Sequence, residues 1–254
     1  MNRINSLAPS VPFSNTNKKS LVTATRKNRQ VPAPAGIQTF APLHYEPNYA
    51  YPLLVWIHDD GGDARELQKV MPLISMRNYV GVSISGEVLA SGRGHAWRQS
   101  SEGTIAAETQ LCDAIELATQ KFRIHSQRIF LAGNAAGGTM ALRLGLRNPD
   151  RFAGAMTLGG SFPTGQAPLA MLTAARRLPL FIAHCRDSER YPVEQLCDEL
   201  RLFHTAGLAA TIRQYPCSDE VTTQMLKDVD VWLMERVTGQ PCEPVPAPIP
   251  EEWN

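Results

Sequence analysis

Residues 128–160, RIFLAGNAAGGTMALRLGLRNPDRFAGAMTLGG, hold the pattern that decides the fold. A mostly apolar strand pattern at 128–132 ends at Gly133, a helical pattern follows over 139–147, and a second mostly apolar strand pattern covers 153–158. Short continuous apolar runs are typical of strands that are buried on both faces. A strand, a glycine-containing turn, a helix and another strand in this order predict a parallel sheet with a crossover helix.

The same alternation extends in both directions from this segment. We predict further strands at 53–57, 79–84, 180–184 and 209–215, and helices at 64–77, 104–121, 193–206 and 222–237. This order requires an α/β fold with a mostly parallel central sheet and helices on both faces, and it leaves no evident lid domain. Ligand sites in such sheets lie outside the carboxyl ends of the strands.

Composition divides the 254 residues into three parts. Residues 1–36 are basic and rich in Ser, Thr, Asn and Pro, and we expect a flexible N-terminal arm because they offer little apolar surface to bury. Residues 37–238 form the predicted α/β domain, and residues 239–254 form a proline-rich, acidic tail. One large domain of this kind suits the chain length.

The basic arm is a candidate interaction segment. Residues 1–45 contain six basic residues and no acidic one. We expect the arm to bind a protein partner or a second copy of the chain through Arg26, Lys27 and Arg29. A solvated tail and a transit peptide are the alternatives, and the lack of interleaved aromatic residues does not favour nucleic acid.

Several classes of protein and site are excluded by composition. No run of about 18 apolar residues is present, so we expect no membrane-spanning helix. Five cysteines without a CxxC pair do not favour a disulfide scaffold or a zinc site. We therefore expect a cytoplasmic protein with no metal and no cofactor.

Segment 128–160 resembles the nucleophile-elbow region of the α/β-hydrolase superfamily. The nearest similarity is to the phospholipase/carboxylesterase and feruloyl-esterase-like group, over about residues 37–237. It includes LLVWIHDDGGD at 53–63, LPLFIAHCRDSERYPVEQ at 178–195 and TIRQYPCSDEVTTQMLKDVDVWL at 211–233. The resemblance implies an α/β-hydrolase fold.

The catalytic triad that the resemblance implies is degenerate. The elbow signature is G-x-S-x-G, and its glycines are present as Gly133 and Gly137, but the nucleophile position is Ala135. The acid position falls on Ser188 and the base position on Asp219. A methyl group cannot attack a carbonyl, so the elbow offers no nucleophile.

The loop after the strand at 53–57 departs from the family pattern as well. The family's His-Gly-Gly-Gly run supplies backbone donors to a developing oxyanion, whereas this chain has two carboxylates there. They would repel an oxyanion unless they form a solvated turn with their side chains pointing away. We expect a vestigial pocket, a candidate site for a small-molecule ligand, lined by His58, Asp59, Asp60, Gly61, Asn134, Ala136, His184, Asp187 and Cys217.

We therefore expect a catalytically inactive α/β-hydrolase homologue that acts as a binding, scaffolding or structural subunit. The alternative is an active ester or acyl hydrolase with a relocated nucleophile. One version of that alternative pairs a thiol, Cys185 or Cys217, with His184 or His58. The acidic residues near the strand ends could also form a cation site or an acidic patch that attracts a basic segment.

Overall fold

The computed structural model describes residues 36–240, so the predictions for the arm residues up to 35 and for the tail from 241 lie outside the described residues. The main sheet has seven strands in the order β1-β3-β2-β6-β7-β8-β9. They are β1 Ile37–Phe40, β2 Tyr51–Ile57, β3 Val80–Ile84, β6 Ile124–Asn134, β7 Gly154–Leu158, β8 Leu180–Cys185 and β9 Ala210–Tyr215, and a separate hairpin is formed by β4 Glu87–Val88 and β5 His95–Ala96. The helices are α1 Leu67–Ile74, α2 Ser101–Lys121, α3 Ala135–Arg147, α4 Leu172–Ala175, α5 Val193–Ala206 and α6 Thr223–Thr238.

The prediction of a mostly parallel sheet between two helical layers is confirmed. Every neighbouring pair of strands in the main sheet is parallel except β1 with β3. Side chains of β2 alternate between two apolar clusters, with Leu53 and Val55 in one and Leu54 and Trp56 in the other. Because both faces of the strand are covered, its apolar residues form the continuous run seen in the sequence. No helix within residues 36–240 is both long enough and apolar enough to cross a bilayer.

Two differences from the predicted elements lie at the edge of the sheet and at the turn before α3. Strand β1 was not predicted, because it pairs through backbone hydrogen bonds at an edge and only Ile37 is deeply buried. The helix predicted from residue 139 begins at Ala135. Glycines disfavour helix, but a Cβ on Gly137 would lie 2.1 Å from the carbonyl oxygen of His58, so close packing requires the glycine there.

Candidate active site

The turn between β6 and α3, residues 133–137, is the elbow of this fold. Ala135 is buried and has a left-handed backbone with φ of +43°, a conformation that costs an L-residue about 1–2 kcal/mol. A Cβ on Gly133 would lie 2.5 Å from the carbonyl group of Gly137, and one on Gly160 would lie 2.1 Å from the carbonyl oxygen of Ala135. The flanking glycines therefore allow the turn to close, while its central residue carries only a methyl group. Asn134, the last residue of β6, makes no side-chain cap to the helix.

The side-chain carboxylate of Asp59 accepts a hydrogen bond from the backbone N–H of the residue that follows the elbow centre. The Ala136 N–H donates to Asp59 Oδ1 at 3.2 Å, and Asp59 Oδ2 accepts from Arg190 Nη1 at 2.8 Å. Asp59 therefore does not form a solvated turn with its side chain pointing away. Its carboxylate instead takes up the Ala136 N–H, a backbone donor of the kind that stabilises an oxyanion.

The rest of the loop after β2 is fixed by the hairpin. Asp60 Oδ1 accepts the backbone N–H of Trp97 at 3.0 Å, and Gly61 N–H donates to the His95 carbonyl at 2.8 Å. His58 is fully buried, and its Nε2 accepts the Gly86 N–H at 3.1 Å, so its Nδ1 donates to the Asp59 carbonyl at 2.7 Å. Burial lowers the pKa of His58, so this imidazole is a neutral structural group.

The structure brings the predicted acid and base positions into direct contact. Ser188 Oγ donates to Asp219 Oδ1 at 2.5 Å and accepts the Tyr191 N–H at 3.0 Å. Ser188 is 7% exposed. Its hydroxyl is therefore oriented by one donor and one acceptor, in a loop that follows β8 and faces the turn after β9.

Arg190 organises the acidic residues near the strand ends. The hydrogen bond to Asp59, with the charges of Asp219 and Asp60, raises the pKa of Arg190. Asp187 lies apart from this group, because it is half-exposed and forms a two-point contact with the Arg186 guanidinium, which lowers its pKa. Asp59, Asp60 and Asp219 thus interact with one arginine. No group of three or more His, Cys, Asp or Glu side chains in residues 36–240 is placed to hold a metal ion.

The two buried thiols face each other and not an imidazole. Cys217 Sγ lies 2.8 Å from Cys185 Sγ. The buried His184 donates from Nε2 to the Tyr191 carbonyl at 2.8 Å, and its Nδ1 faces Gln214 Nε2 at 3.4 Å. Both imidazoles that this version of the relocated nucleophile needs have other hydrogen-bond partners, which does not favour a thiol–imidazole pair.

Sequence reasoning missed an apolar cavity of about 560 Å³ beside this site. It is lined by residues of the loop that follows β7 and by α5, namely Phe162, Pro163, Thr164, Gly165, Ala167, Pro168, Leu169, Ala170, Glu199 and Leu202. Tyr191, whose N–H donates to Ser188, donates its hydroxyl to Glu199 Oε2. Burial raises the pKa of Glu199. Glu199 lies on a mostly polar helix, where a glutamate is an ordinary residue. The sequence therefore does not indicate that Glu199 links the cavity to Tyr191 and Ser188.

Comparison with known proteins identifies the family. A family model described as Phospholipase/Carboxylesterase matches residues 91–235. The chain belongs to the phospholipase/carboxylesterase family. Among curated relatives, the protein named "Putative esterase NocK" from Nocardia uniformis subsp. tsuyamanensis is 25% identical over 166 residues, which are 61% of this chain and 47% of that protein. The chain thus spans about half the length of this relative.

Solved structures, two of them described as carboxylesterases, share the fold. The Bacillus cereus carboxylesterase superposes with a TM-score of 0.64 at 16% identity, covering 79% of this chain and 93% of that one. The carboxylesterase from Mesorhizobium loti gives a TM-score of 0.62 at 16% identity, covering 73% and 90%. SOBER1 of Arabidopsis thaliana gives 0.62 at 16% identity, covering 74% and 100%. These similarities confirm the α/β-hydrolase fold.

The family assignment corrects the expectation of a non-catalytic binding, scaffolding or structural subunit. That expectation is contradicted, because the matching family and the curated relative both carry names of ester hydrolases. It was inferred from side chains at three positions, Ala135, Ser188 and Asp219. The elbow backbone is retained, and Ser188 carries a hydroxyl that donates to the Asp219 carboxylate.

Proposed function

We propose that this chain hydrolyses carboxylic esters and that Ser188 Oγ attacks the ester carbonyl in place of an elbow side chain. The observation that carries the proposal is the 2.5 Å hydrogen bond from Ser188 Oγ to Asp219 Oδ1. A hydroxyl that donates to a neighbouring base is the arrangement that activates a serine nucleophile. Membership of the phospholipase/carboxylesterase family supports the same reaction class.

The proton transfers follow from this contact. In acylation, Oγ bonds to the carbonyl carbon while its proton passes to Asp219, and the departing alcohol takes up that proton. In deacylation, water gives a proton to Asp219, attacks the acyl carbon and releases the carboxylic acid, and Ser188 regains its proton. The Tyr191 N–H, 3.0 Å from Ser188 Oγ, orients the hydroxyl and stabilises negative charge that develops on it.

Two donors are available for the carbonyl oxygen that becomes negatively charged. They are the Ala136 N–H, at the N-terminus of α3, and the guanidinium of Arg190. Positive charge and helix-terminal donors both stabilise an oxyanion. Asp59 holds both of them, so the substrate must displace this carboxylate before the transition state is stabilised.

The apolar part of the substrate would bind in the cavity. Its volume lies in the range of small-molecule sites, and its lining is mostly apolar. The chain of contacts from Ser188 to Tyr191 to Glu199 leads from the reacting hydroxyl to the cavity wall. We propose an ester with a neutral apolar acyl or alkoxy group, because a buried carboxyl group disfavours an anionic substituent beside it.

The base sets the expected rate. Carboxylates are in general weaker bases than imidazoles, and the proposed site has a carboxylate where a complete triad has a histidine. General-base assistance contributes about 10²–10⁴-fold when the base is well matched. We therefore expect slow turnover that rises with the reactivity of the leaving group.

The test is a hydrolysis assay with 4-nitrophenyl esters of increasing acyl length, together with labelling by a fluorophosphonate and peptide mapping. We expect the label on Ser188 and a loss of at least tenfold in kcat/KM in Ser188→Ala and in Asp219→Asn. Ser218→Ala is the matched control, because Ser218 is exposed in the same turn as Asp219. A label on another residue, or unchanged hydrolysis in Ser188→Ala, would overturn the proposal.

A further inference from the structure

Two cysteines meet where the sheet approaches the candidate site. Cys185 is the last residue of β8 and pairs with Tyr215, the last residue of β9. Cys217 follows two residues later, where its N–H donates to the Tyr215 carbonyl. Both cysteines are buried, at 1% and 6% exposure. Adjacent parallel strands therefore place the two side chains side by side in a region closed to solvent.

The separation of the sulphur atoms is the decisive observation. The Sγ atoms lie 2.8 Å apart, only about 0.8 Å more than a disulfide bond. Non-bonded heavy atoms in contact are usually about 3.5–4.0 Å apart. Neither Cys112, which contacts Arg151, nor the exposed Cys197 shows such a contact within residues 36–240.

We propose that Cys185 and Cys217 are a redox couple that forms an internal disulfide when the protein meets a disulfide oxidant such as oxidised glutathione. In the first step one thiolate attacks the oxidant, forms a mixed disulfide and releases one reduced thiol. In the second step the other cysteine attacks the mixed disulfide and releases the second reduced thiol. The couple loses two electrons and two protons, and the oxidant gains them.

Burial makes this exchange slow. It raises the pKa of the Cys185 thiol, and the neighbouring Cys217 and the acidic Glu220 and Asp219 act in the same direction. The reacting species is the thiolate, so the pair oxidises slowly and, once oxidised, is shielded from external thiols. The couple is therefore suited to a long-lived link rather than to a rapid sensor.

The link would join the two loops that carry the proposed nucleophile and base. Ser188 N–H donates to the Cys185 carbonyl, and Asp187 N–H donates to the Cys217 carbonyl. Cys185 lies three residues before Ser188, and Cys217 lies two residues before Asp219. A disulfide between Cys185 and Cys217 would join the two loops covalently. It would thereby hold the geometry of the Ser188–Asp219 hydrogen bond.

The test counts thiols and does not depend on hydrolysis. The full-length protein is incubated with excess oxidised glutathione, unfolded in guanidinium, alkylated with iodoacetamide and weighed by mass spectrometry. Mixed disulfides at other cysteines are resolved by their mass and by peptide mapping. We expect a disulfide-linked pair of peptides that contain Cys185 and Cys217, and alkylation of all five cysteines after reduction.

Two variants provide the controls. Cys217→Ala should form no internal bond to Cys185, whereas Cys112→Ser/Cys197→Ser should keep it. In the wild type, oxidation should raise Tm by several degrees, because closing a loop of about 30 residues restricts the unfolded chain, and this rise should be absent in Cys217→Ala. Free Cys185 and Cys217 after prolonged oxidation, or a bond from either to another cysteine, would overturn the proposal whether or not the protein hydrolyses esters.

Discussion

Asp59 Oδ1 accepts the backbone N–H of Ala136 at 3.2 Å, so the donor that follows the elbow is already hydrogen-bonded to a side chain of the protein. Its other oxygen is paired with Arg190. If the proposed reaction uses these donors, Asp59 competes with the substrate's carbonyl oxygen. The contact therefore predicts that removal of this carboxylate aids hydrolysis.

We expect Asp59→Ala to raise kcat/KM for 4-nitrophenyl esters by on the order of tenfold, since freeing a donor worth about 1.4 kcal/mol in the transition state changes the rate by that factor. Steady-state kinetics on both proteins measure the change. Asp187→Ala is the control, because this half-exposed carboxylate pairs with Arg186 and not with the Ala136 N–H. A loss of activity in Asp59→Ala would show that the carboxylate takes part in the reaction.

Restoring the hydroxyl at the elbow should not by itself restore a triad. We expect Ala135→Ser to leave ester hydrolysis unchanged, because the base position holds Asp219 instead of an imidazole and this carboxylate already accepts from Ser188. The triple variant Ala135→Ser/Ser188→Asp/Asp219→His should exceed the single variant by about 10²–10⁴-fold. Strong hydrolysis in Ala135→Ser alone would mean that the base lies elsewhere.

Two leucines on α5 test the role of the apolar cavity. Leu202 lines the cavity and is 39% exposed, whereas Leu200 is 40% exposed and does not line it. We expect Leu202→Arg to raise KM at least threefold for esters with long acyl chains and to spare 4-nitrophenyl acetate. Leu200→Arg should behave as the wild type, and equal effects of the two variants would argue against the cavity as a substrate site.

Buried Glu199 predicts a specific dependence of stability on pH. Burial raises its pKa in the folded protein, so the folded state binds its proton more tightly than the unfolded state. The free energy of unfolding should therefore fall as pH rises from the ordinary carboxyl range through the raised pKa, and then level off. Urea unfolding across this range should show a flatter profile for Glu199→Gln, whereas Glu194→Gln, at an exposed position of the same helix, should retain the wild-type slope.

The arm remains a prediction of the sequence. Deletion of residues 1–35 should change Tm by no more than a few degrees, because the first buried residue of the described domain is Ile37 and apolar burial dominates folding. The deletion should also reduce any association with a partner or a second copy, measured by light scattering at low and moderate salt. Unfolding of the shortened protein would place part of the arm in the core.

The fold could be predicted because its strands are buried on both faces. Strands β2 and β8 consist entirely of buried residues, so each appears in the sequence as a mostly apolar run, with His184 as the polar residue in β8. Strand β1 could not be found in this way. It is an edge strand whose pairing depends on backbone groups, which every sequence provides.

The candidate site could be predicted only in part. Family spacing located Ala135, Ser188 and Asp219, since those positions are fixed by the ends of strands. The direction of the Asp59 side chain depends on Arg190, which is 131 residues away in the chain. No local pattern encodes such a contact, so the sequence left open whether the acids of that loop face solvent.

The left-handed turn at Ala135 also makes this position suitable for protein engineering. Its backbone already has the φ of +43° that an inserted side chain would need, and it stands at the first residue of α3. A cysteine introduced there would require no rebuilding of the turn, and the N-terminus of a helix favours the reactive thiolate. Because Ala135 is 7% exposed, position 135 would hold a reactive thiol that is shielded from most of the solvent.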